Sequence, residues 1–121
     1  MDAAFGATDL LMRLLAASNE RTRVLANNIA NQNTPGFTRQ VLRFEELLQE
    51  ALEDGQDPAL VQPALATDVL TPGRPDGNNV NIELEMNSMR QNRLLYEAYA
   101  AILGTRFELM RVGIESSTGL T

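Results

Sequence analysis

The last third of the chain carries a heptad pattern of apolar residues. Counted in alternating steps of four and three from Ile82, nine of the ten seam positions are apolar, and Arg93 is the exception. A seam sustained over more than four repeats predicts one long helix from Ile82 to Ile114, with Asn81 as its N-cap. Further apolar residues lie beside the seam, so this helix must bury more than one side: Leu95, Tyr99, Ile102 and Leu109.

The predicted helix is long for a chain of 121 residues. At about 1.5 Å per residue it would extend for roughly 50 Å, whereas a compact globule of this chain length has a radius of gyration of about 14 Å. Ordinary core packing within a bundle would also produce such a seam. The length favours self-assembly or partner helices instead. Arg93 fits either a surface residue or a polar position that sets the register of the seam.

A second, shorter helix is predicted from about Asp9 to Ala30, where apolar residues recur at helical spacing. Its end is rich in asparagine and is followed by Pro35 and Gly36, which suit the two central positions of a type II turn. Asparagine weakens a helix but bonds neighbouring backbone groups, so a buried corner explains the run better than a solvated loop. The predicted corner residues are Asn27, Asn28, Asn31, Asn33, Pro35 and Gly36.

The middle of the chain is less regular. Residues 37–41 have the character of an extended segment, and residues 44–52 place their apolar side chains on one helical face. Residues 54–79 hold four of the five prolines and three glycines, a composition typical of a long loop, and residues 61–70 could form short strands. The pattern predicts a mainly α fold in which the N- and C-terminal helices pair antiparallel with each other. A small irregular, β-containing middle segment connects them.

Composition narrows the possible functions. The chain has ten arginines, no lysine, no histidine and no cysteine, and its formal net charge is −6. Without histidine or cysteine, the usual zinc sites, haem ligation, a disulfide and a Ser-His-Asp or Cys-His nucleophile are excluded. The acidic groups lack the spacing of a calcium loop, and the negative charge disfavours nucleic acid and anionic membranes. We therefore expect no catalytic, cofactor or metal site and no nucleic-acid partner.

The start of the chain lacks the basic region of a cleavable signal peptide, and no apolar run of about 18 residues is present to span a membrane. Taken alone, these features indicate a cytoplasmic protein.

The run Leu25–Phe37, with its core ANNIANQNTPGF, resembles the N-terminal signature of the bacterial flagellar axial proteins. Two further stretches narrow the resemblance to flagellar basal-body rod proteins of the FlgB type, which belong to the proximal rod. The first stretch is Phe44–Glu46, and the second is Asp76–Val80 followed by Glu85, Met86, Asn92, Leu95, Tyr96 and Phe107–Arg111.

The resemblance implies a non-enzymatic building block of an elongated antiparallel coiled coil. Residues 9–33 and 80–115 would form an inner coiled-coil domain, residues 34–79 a middle outer segment with a long Pro/Gly linker, and residues 1–8 a disordered export segment. Copies would stack helically into a tube that transmits torque and lets exported subunits pass. The packing and assembly residues would be Leu11, Leu15, Leu25, Ile29, Met89, Tyr96, Leu103, Phe107 and Met110.

The resemblance also implies partners and a location. The partners would be copies of the chain itself, other flagellar rod proteins, the adaptor protein between the MS ring and the rod, and the flagellar type III export apparatus. The location would be the periplasm-spanning rod of the basal body, reached without a cleavable signal peptide, in place of the cytoplasm. Phe44 and Leu48 match a loose pattern for export-gate recognition, although the same spacing is simply one face of a helix.

Two other functions compete with this one. A soluble helical adaptor or chaperone would bind a partner helix in a groove and would form a discrete dimer or heterodimer of fixed size. A carboxylate-dependent hydrolase would need acids of raised pKa in a pocket, and the sequence shows no such cluster.

Overall fold

The computed structural model describes residues 3–118, with the side chains of residues 6–117. It is mainly helical, with a long helix at each end and a two-stranded sheet between them, as the sequence predicts. In chain order the elements are α1 (Ala3–Ala30), β1 (Gln40–Arg43), α2 (Glu45–Glu53), a 3₁₀ turn (Pro58–Leu60), β2 (Ala64–Thr67) and α3 (Ile82–Thr118).

Helix α1 begins earlier than the sequence pattern predicts. It starts at Ala3 rather than near Asp9, so residues 3–8, which we expected to be disordered, are helical. The expected disorder at residues 1 and 2 lies outside the described residues. Alanine is the best helix former, and this stretch contains three alanines against a single glycine, which explains the earlier start.

Helix α3 begins where the sequence predicts and runs past the predicted end. The Asn81 side chain caps it: its Oδ1 accepts hydrogen bonds from the backbone N–H groups of Glu83 at 3.1 Å and Leu84 at 3.3 Å. The helix continues to Thr118, for 37 residues. At about 1.5 Å per residue it extends for roughly 55 Å.

The two long helices pair antiparallel. Ser18 of α1 bonds Asn92 of α3, whereas Asn28, ten residues further along α1, bonds Glu85, seven residues earlier on α3. By this register the start of α1 at Ala3 lies level with about residue 108 of α3. Roughly the last ten residues of α3 therefore extend beyond α1.

The middle segment, residues 34–79, folds back onto α1. Strands β1 and β2 pair antiparallel, with Gln40 opposite Thr67 and Arg43 opposite Ala64. Helix α2 follows β1 directly, as the apolar spacing of residues 44–52 predicts. The predicted strand region at residues 61–70 contains β2.

The apolar core lies between α1 and the middle segment rather than between the two long helices. Four buried side chains form it, and four half-buried ones pack around them. Phe44 is fully buried, and burying a side chain of this size contributes about 1.5–3 kcal/mol. The eight residues are Ala17, Leu42, Phe44 and Leu48, surrounded by Leu10, Leu14, Val24 and Val61.

Candidate assembly site

Asn28, in the last turn of α1, is fully buried and joins three elements. Its side-chain amide holds the backbone of Gln40 on both sides: Nδ2 donates to the Gln40 carbonyl at 2.8 Å, and Oδ1 accepts from the Gln40 N–H at 2.9 Å. Nδ2 also donates to Glu85 Oε2 of α3 at 3.2 Å. One asparagine therefore fixes the positions of α1, β1 and α3 relative to each other, since a buried amide is stable only with its partners in place.

The rest of the asparagine-rich run forms a tight turn. The Phe37 N–H donates to the Thr34 carbonyl at 3.2 Å. Gly36 has a φ of 74°, a conformation that a type II turn requires at this position and that favours glycine. Asn31 Nδ2 donates to the Asn27 carbonyl at 2.8 Å, and its Oδ1 accepts from the Thr34 hydroxyl at 3.1 Å. The other two predicted corner residues are exposed: Asn33 and Pro35.

A second pair of asparagines locks the corner from the other side. Asn78 is fully buried, and its Nδ2 donates to the carbonyls of Asn31 and Thr34, each at 2.8 Å. Asn79 is also buried, and its Oδ1 accepts from the Arg39 N–H at 2.7 Å. The corner therefore consists of two asparagine-rich segments that are far apart in sequence.

A buried charge cluster lies beside this corner. The Arg39 guanidinium pairs with Asp68 Oδ2 at 2.7 Å and with Glu85, whose side chain has no exposed surface. The hydrogen bond to Glu85 raises the pKa of Arg39. The Thr71 hydroxyl and the Arg39 guanidinium hold the pKa of the Asp68 carboxyl well below its ordinary value of 3.8. The cluster ties the start of α3 to the residue that precedes β1 and the residue that follows β2.

The contact between α1 and α3 is polar along much of its length. The Ser18 hydroxyl donates to Asn92 Oδ1 at 3.0 Å, and Asn92 Nδ2 donates to the Ser18 carbonyl at 2.8 Å and to the Thr22 hydroxyl at 2.9 Å. Asn92 is buried, with only 2% of its surface exposed. Because each of these groups needs its partner, the contact specifies one register of the two helices.

The same polar contact reaches α2. Arg21 donates to Asn92 Oδ1 at 3.1 Å and forms an ion pair with Glu45. The Tyr99 hydroxyl lies 3.5 Å from Glu45 Oε1, and burial, together with the nearby Glu45 charge, raises the pKa of Tyr99. Three helices therefore meet at one polar node.

The predicted packing residues fall into three groups. Leu25 and Leu103 are buried, at 5% and 9% exposure. Tyr96 and Phe107 are largely exposed, at 39% and 47%. The half-buried group comprises Leu11, Leu15, Ile29, Met89 and Met110.

The heptad seam of α3 does not face α1 over most of its length. The buried positions of α3 are Glu85, Asn92 and Leu103, so only Leu103 belongs both to the buried line and to the seam. The apolar residues lie on two flanks, one on each side of that line, and stay exposed within the subunit. The first flank holds Ile82, Met86, Tyr96, Phe107 and Ile114, and the second holds Leu84, Leu95, Ile102 and Leu109.

Sequence reasoning missed several residues of this site. It assigned Asp76–Asn79 to the long loop of residues 54–79, although the paired asparagines there repeat the signal that identified the first corner. Glu85 was named as part of the family resemblance, and its buried pairing with Arg39 had no local signal. The polar residues that join α1 to α3 also had none, because their pairing is decided by the antiparallel register.

Phe44 and Leu48, the possible export motif, are both buried in the apolar core, at 0% and 8% exposure. Packing alone accounts for their apolar character in the folded subunit. The Arg93 side chain is 82% exposed and pairs with Glu97 at 3.2 Å on the surface of α3.

None of the described helices has the length and apolar character that crossing a bilayer requires. Within the described part of the chain, no three metal-ligating side chains lie close enough together to hold an ion.

Comparison with known proteins identifies relatives that match most of the chain. Residues 11–38 match the family described as "Flagella basal body rod protein". The chain is 32% identical to the flagellar basal body rod protein FlgB of Borrelia hermsii over 127 residues, which cover 88% of this chain and 94% of that protein. It is 30% identical to FlgB of Aeromonas hydrophila over 118 residues, covering 87% of each chain. It is 28% identical to FlgB of Salmonella typhimurium over 110 residues, covering 75% of this chain and 80% of that protein.

Proposed function

Because this chain belongs to the FlgB family of flagellar basal body rod proteins, we propose that it polymerises through its terminal helices into the tube of the proximal rod. Membership of the family makes the chain a structural component of the basal body rod rather than an enzyme. In the proposed tube, the helices transmit torque and surround a channel through which exported subunits pass.

The observation that supports polymerisation is the distribution of apolar surface on α3. Within one subunit, α1 covers the polar line of α3 and leaves both apolar flanks in contact with water. Tyr96, Ile102 and Phe107 are each exposed by 39% to 50%. Contiguous exposed apolar surface of this kind marks interaction sites, and burying it contributes about 25 cal/mol per Å². Neighbouring subunits would bury both flanks.

The corner at the end of α1 supports the division into an inner and an outer part. Asn28, Asn78 and Asn79 fix the angle at which the middle segment leaves the helix pair, because each is buried and bonds backbone groups of another segment. A subunit that transmits torque must hold this angle under load. We propose that residues 9–33 and 80–115 form the inner layer of the tube and residues 34–79 the outer part.

The family also suggests the partners. We propose copies of the chain itself, other flagellar rod proteins, the adaptor at the base of the rod and the flagellar type III export apparatus. Export would deliver an unfolded chain, in which Phe44 and Leu48 are accessible.

Substitutions on α3 separate assembly from folding. We expect Phe107→Asp, at a 47% exposed flank position, to leave the subunit helical and secreted but to abolish motility, because it places a charge in an apolar contact between subunits. Motility in a strain lacking the native gene, together with circular dichroism of the purified chain, measures both effects.

Leu103→Asp is the matched comparison. It introduces the same charge at a buried position, and we expect it to unfold the helix pair itself. Normal swimming and normal incorporation of Phe107→Asp into isolated basal bodies would contradict the assembly role of the flank.

A further inference from the structure

A groove of about 410 Å³ runs along the first apolar flank of α3, where it borders α1. Met86, Met89 and Tyr96 form its apolar part, and Arg90 and Arg93 form its edge. Methionine side chains adapt their shape to a partner surface. The groove has no acidic lining residue, so its edge is positively charged.

Neither arginine is buried in a fixed internal contact. Within the described part of the chain, the Arg90 side chain makes one hydrogen bond, to the carbonyl of Met86 at 3.4 Å, one turn earlier in the same helix. Arg93 pairs with Glu97 at 3.2 Å, but its side chain is 82% exposed. Exposed pairs of this kind contribute little to stability, so both guanidinium groups are available to an external partner.

The negative charge of the chain lies elsewhere, in the middle segment. That segment carries eight acidic residues and three arginines, while the whole chain has a net charge of −6. The outer face of α2 presents Glu46, Glu50 and Glu53 at helical spacing, and all three are exposed. Arg43 pairs with Glu50 at 3.2 Å. Leu52, next to Glu53 in the sequence, is 63% exposed and offers apolar contact.

We propose that the acidic outer face of α2 in one copy docks on the arginine-edged groove of a second copy. This docking rests on the proposed function, and it assigns the contact between two subunits to these two surfaces. Charge complementarity between the two surfaces selects and orients the partner, and the methionines and Tyr96 pack against Leu52 and the aliphatic stems of the glutamates.

The two surfaces face in opposite directions on one subunit. Asn19 of α1 borders the groove, whereas Ala17 packs against the middle segment that carries α2. Two residues along a helix correspond to a rotation of about 200°. A contact between two different patches on opposite sides is heterologous, so it repeats from copy to copy and produces a ring or a helical array rather than a closed dimer.

Charge reversal at the groove is the first test. We expect Arg90→Glu to weaken self-association of the full chain about tenfold or more in sedimentation velocity, because it places like charges opposite each other. Arg23→Glu is the matched control: it is an exposed arginine one turn along α1 from Asn19 that does not line the groove, so it separates loss of the contact itself from added negative charge nearby. We expect its association constant to stay within about twofold of the unchanged chain. Circular dichroism checks that both variants keep their helices.

Restoring the complementary charge is the second test. Glu53→Arg alone weakens association, and the double variant Arg90→Glu with Glu53→Arg recovers it. An equimolar mixture of the two single variants also recovers association, because each chain then meets only complementary neighbours. Glu20→Arg, on the exposed face of α1, controls for the change in net charge.

Three results would overturn the inference: an Arg90→Glu chain that associates like the unchanged chain, a double variant that fails to recover, or an unchanged chain that stays monomeric at high concentration. In each case, detecting the chain in isolated basal bodies leaves the proposed rod function intact. Absence of the chain from basal bodies would instead refute the proposed function itself.

Discussion

Helix α1 makes two contacts of opposite chemistry. Toward the middle segment it contributes Ala17 to an apolar core around the fully buried Phe44. Toward α3 it presents the hydroxyl groups of Ser18 and Thr22 to the buried amide of Asn92. An apolar contact is stabilising but not directional. A buried polar contact adds little net energy and tolerates few alternatives, since an unpaired group costs about 1–3 kcal/mol.

The difference shows how the chain divides its surface. The apolar core holds the middle segment against α1, and the polar contact sets the register of α1 against α3. Apart from the buried Leu103, most large apolar residues of α3 are not covered inside the subunit and stay on its two flanks. The contact between α1 and α3 is therefore specific, whereas the exposed apolar flanks of α3 can be buried against other surfaces. This division suits a protein that assembles with its neighbours.

Substitution in the apolar core between α1 and the middle segment should lower the free energy of unfolding most. We expect Phe44→Ala to lower the free energy of unfolding by about 3–5 kcal/mol, because it opens a cavity at a fully buried position. Urea unfolding followed by circular dichroism measures the change. Leu65→Ala, at a 60% exposed position, is the control, with an expected change within about 0.5 kcal/mol. Equal effects for the two variants would show that the core assigned here does not stabilise the subunit.

Removing a buried polar side chain should lower the stability of the subunit less than removing the equally buried Phe44. We expect Asn28→Ala to lower the free energy of unfolding by about 2 kcal/mol, because the N–H and carbonyl of Gln40 and one oxygen of Glu85 lose a partner. Asn33→Ala, in the same run but exposed, should change it by no more than about 0.5 kcal/mol. If both substitutions were neutral, the corner would not depend on its buried amide.

Substitution in the charge cluster around Arg39 should lower the free energy of unfolding least, and the loss should depend on pH. The pKa of Asp68 is lower in the folded chain than its ordinary 3.8, so the ionised carboxylate adds stability above that value. This contribution is lost as the pH falls through the lower folded pKa. We expect Asp68→Asn to lower stability by about 1 kcal/mol near neutral pH, and the difference from the unchanged chain to shrink below pH 3.8.

Unfolding curves of Asp68→Asn and the unchanged chain at a series of pH values test this sign. A difference that grows on acidification would contradict the assigned pairing of Asp68 with Arg39 and Thr71.

Much of the backbone could be predicted from local patterns. The heptad spacing predicted α3, the Asn81 cap fixed its start, and the apolar spacing of residues 44–52 predicted α2. These signals are local, since a cap or a helical face depends on residues within one or two turns. The early start of α1 was missed because an alanine-rich end without a capping residue gives only a weak boundary signal.

The site was less predictable than the backbone. The asparagine run predicted a corner, but the sequence did not show that Asn78 and Asn79 complete it from forty or more residues away. The pairing of Arg39 with Glu85 was equally hidden. Contacts between distant segments depend on register and rotation of the helices, which no local pattern specifies.

By itself, the sequence determined that the protein is mainly helical, that a turn follows α1, that α3 has too much apolar surface for one partner, and that histidine and cysteine chemistry is absent. Only the tertiary structure decided which line of α3 faces α1. The apolar seam marks one line along α3, but the buried residues Glu85 and Asn92 lie on a different line, and that line faces the rest of the subunit. The reason is physical: those polar groups find matching partners on α1 and the middle segment, whereas apolar flanks can be buried against any complementary surface, including that of a neighbouring subunit.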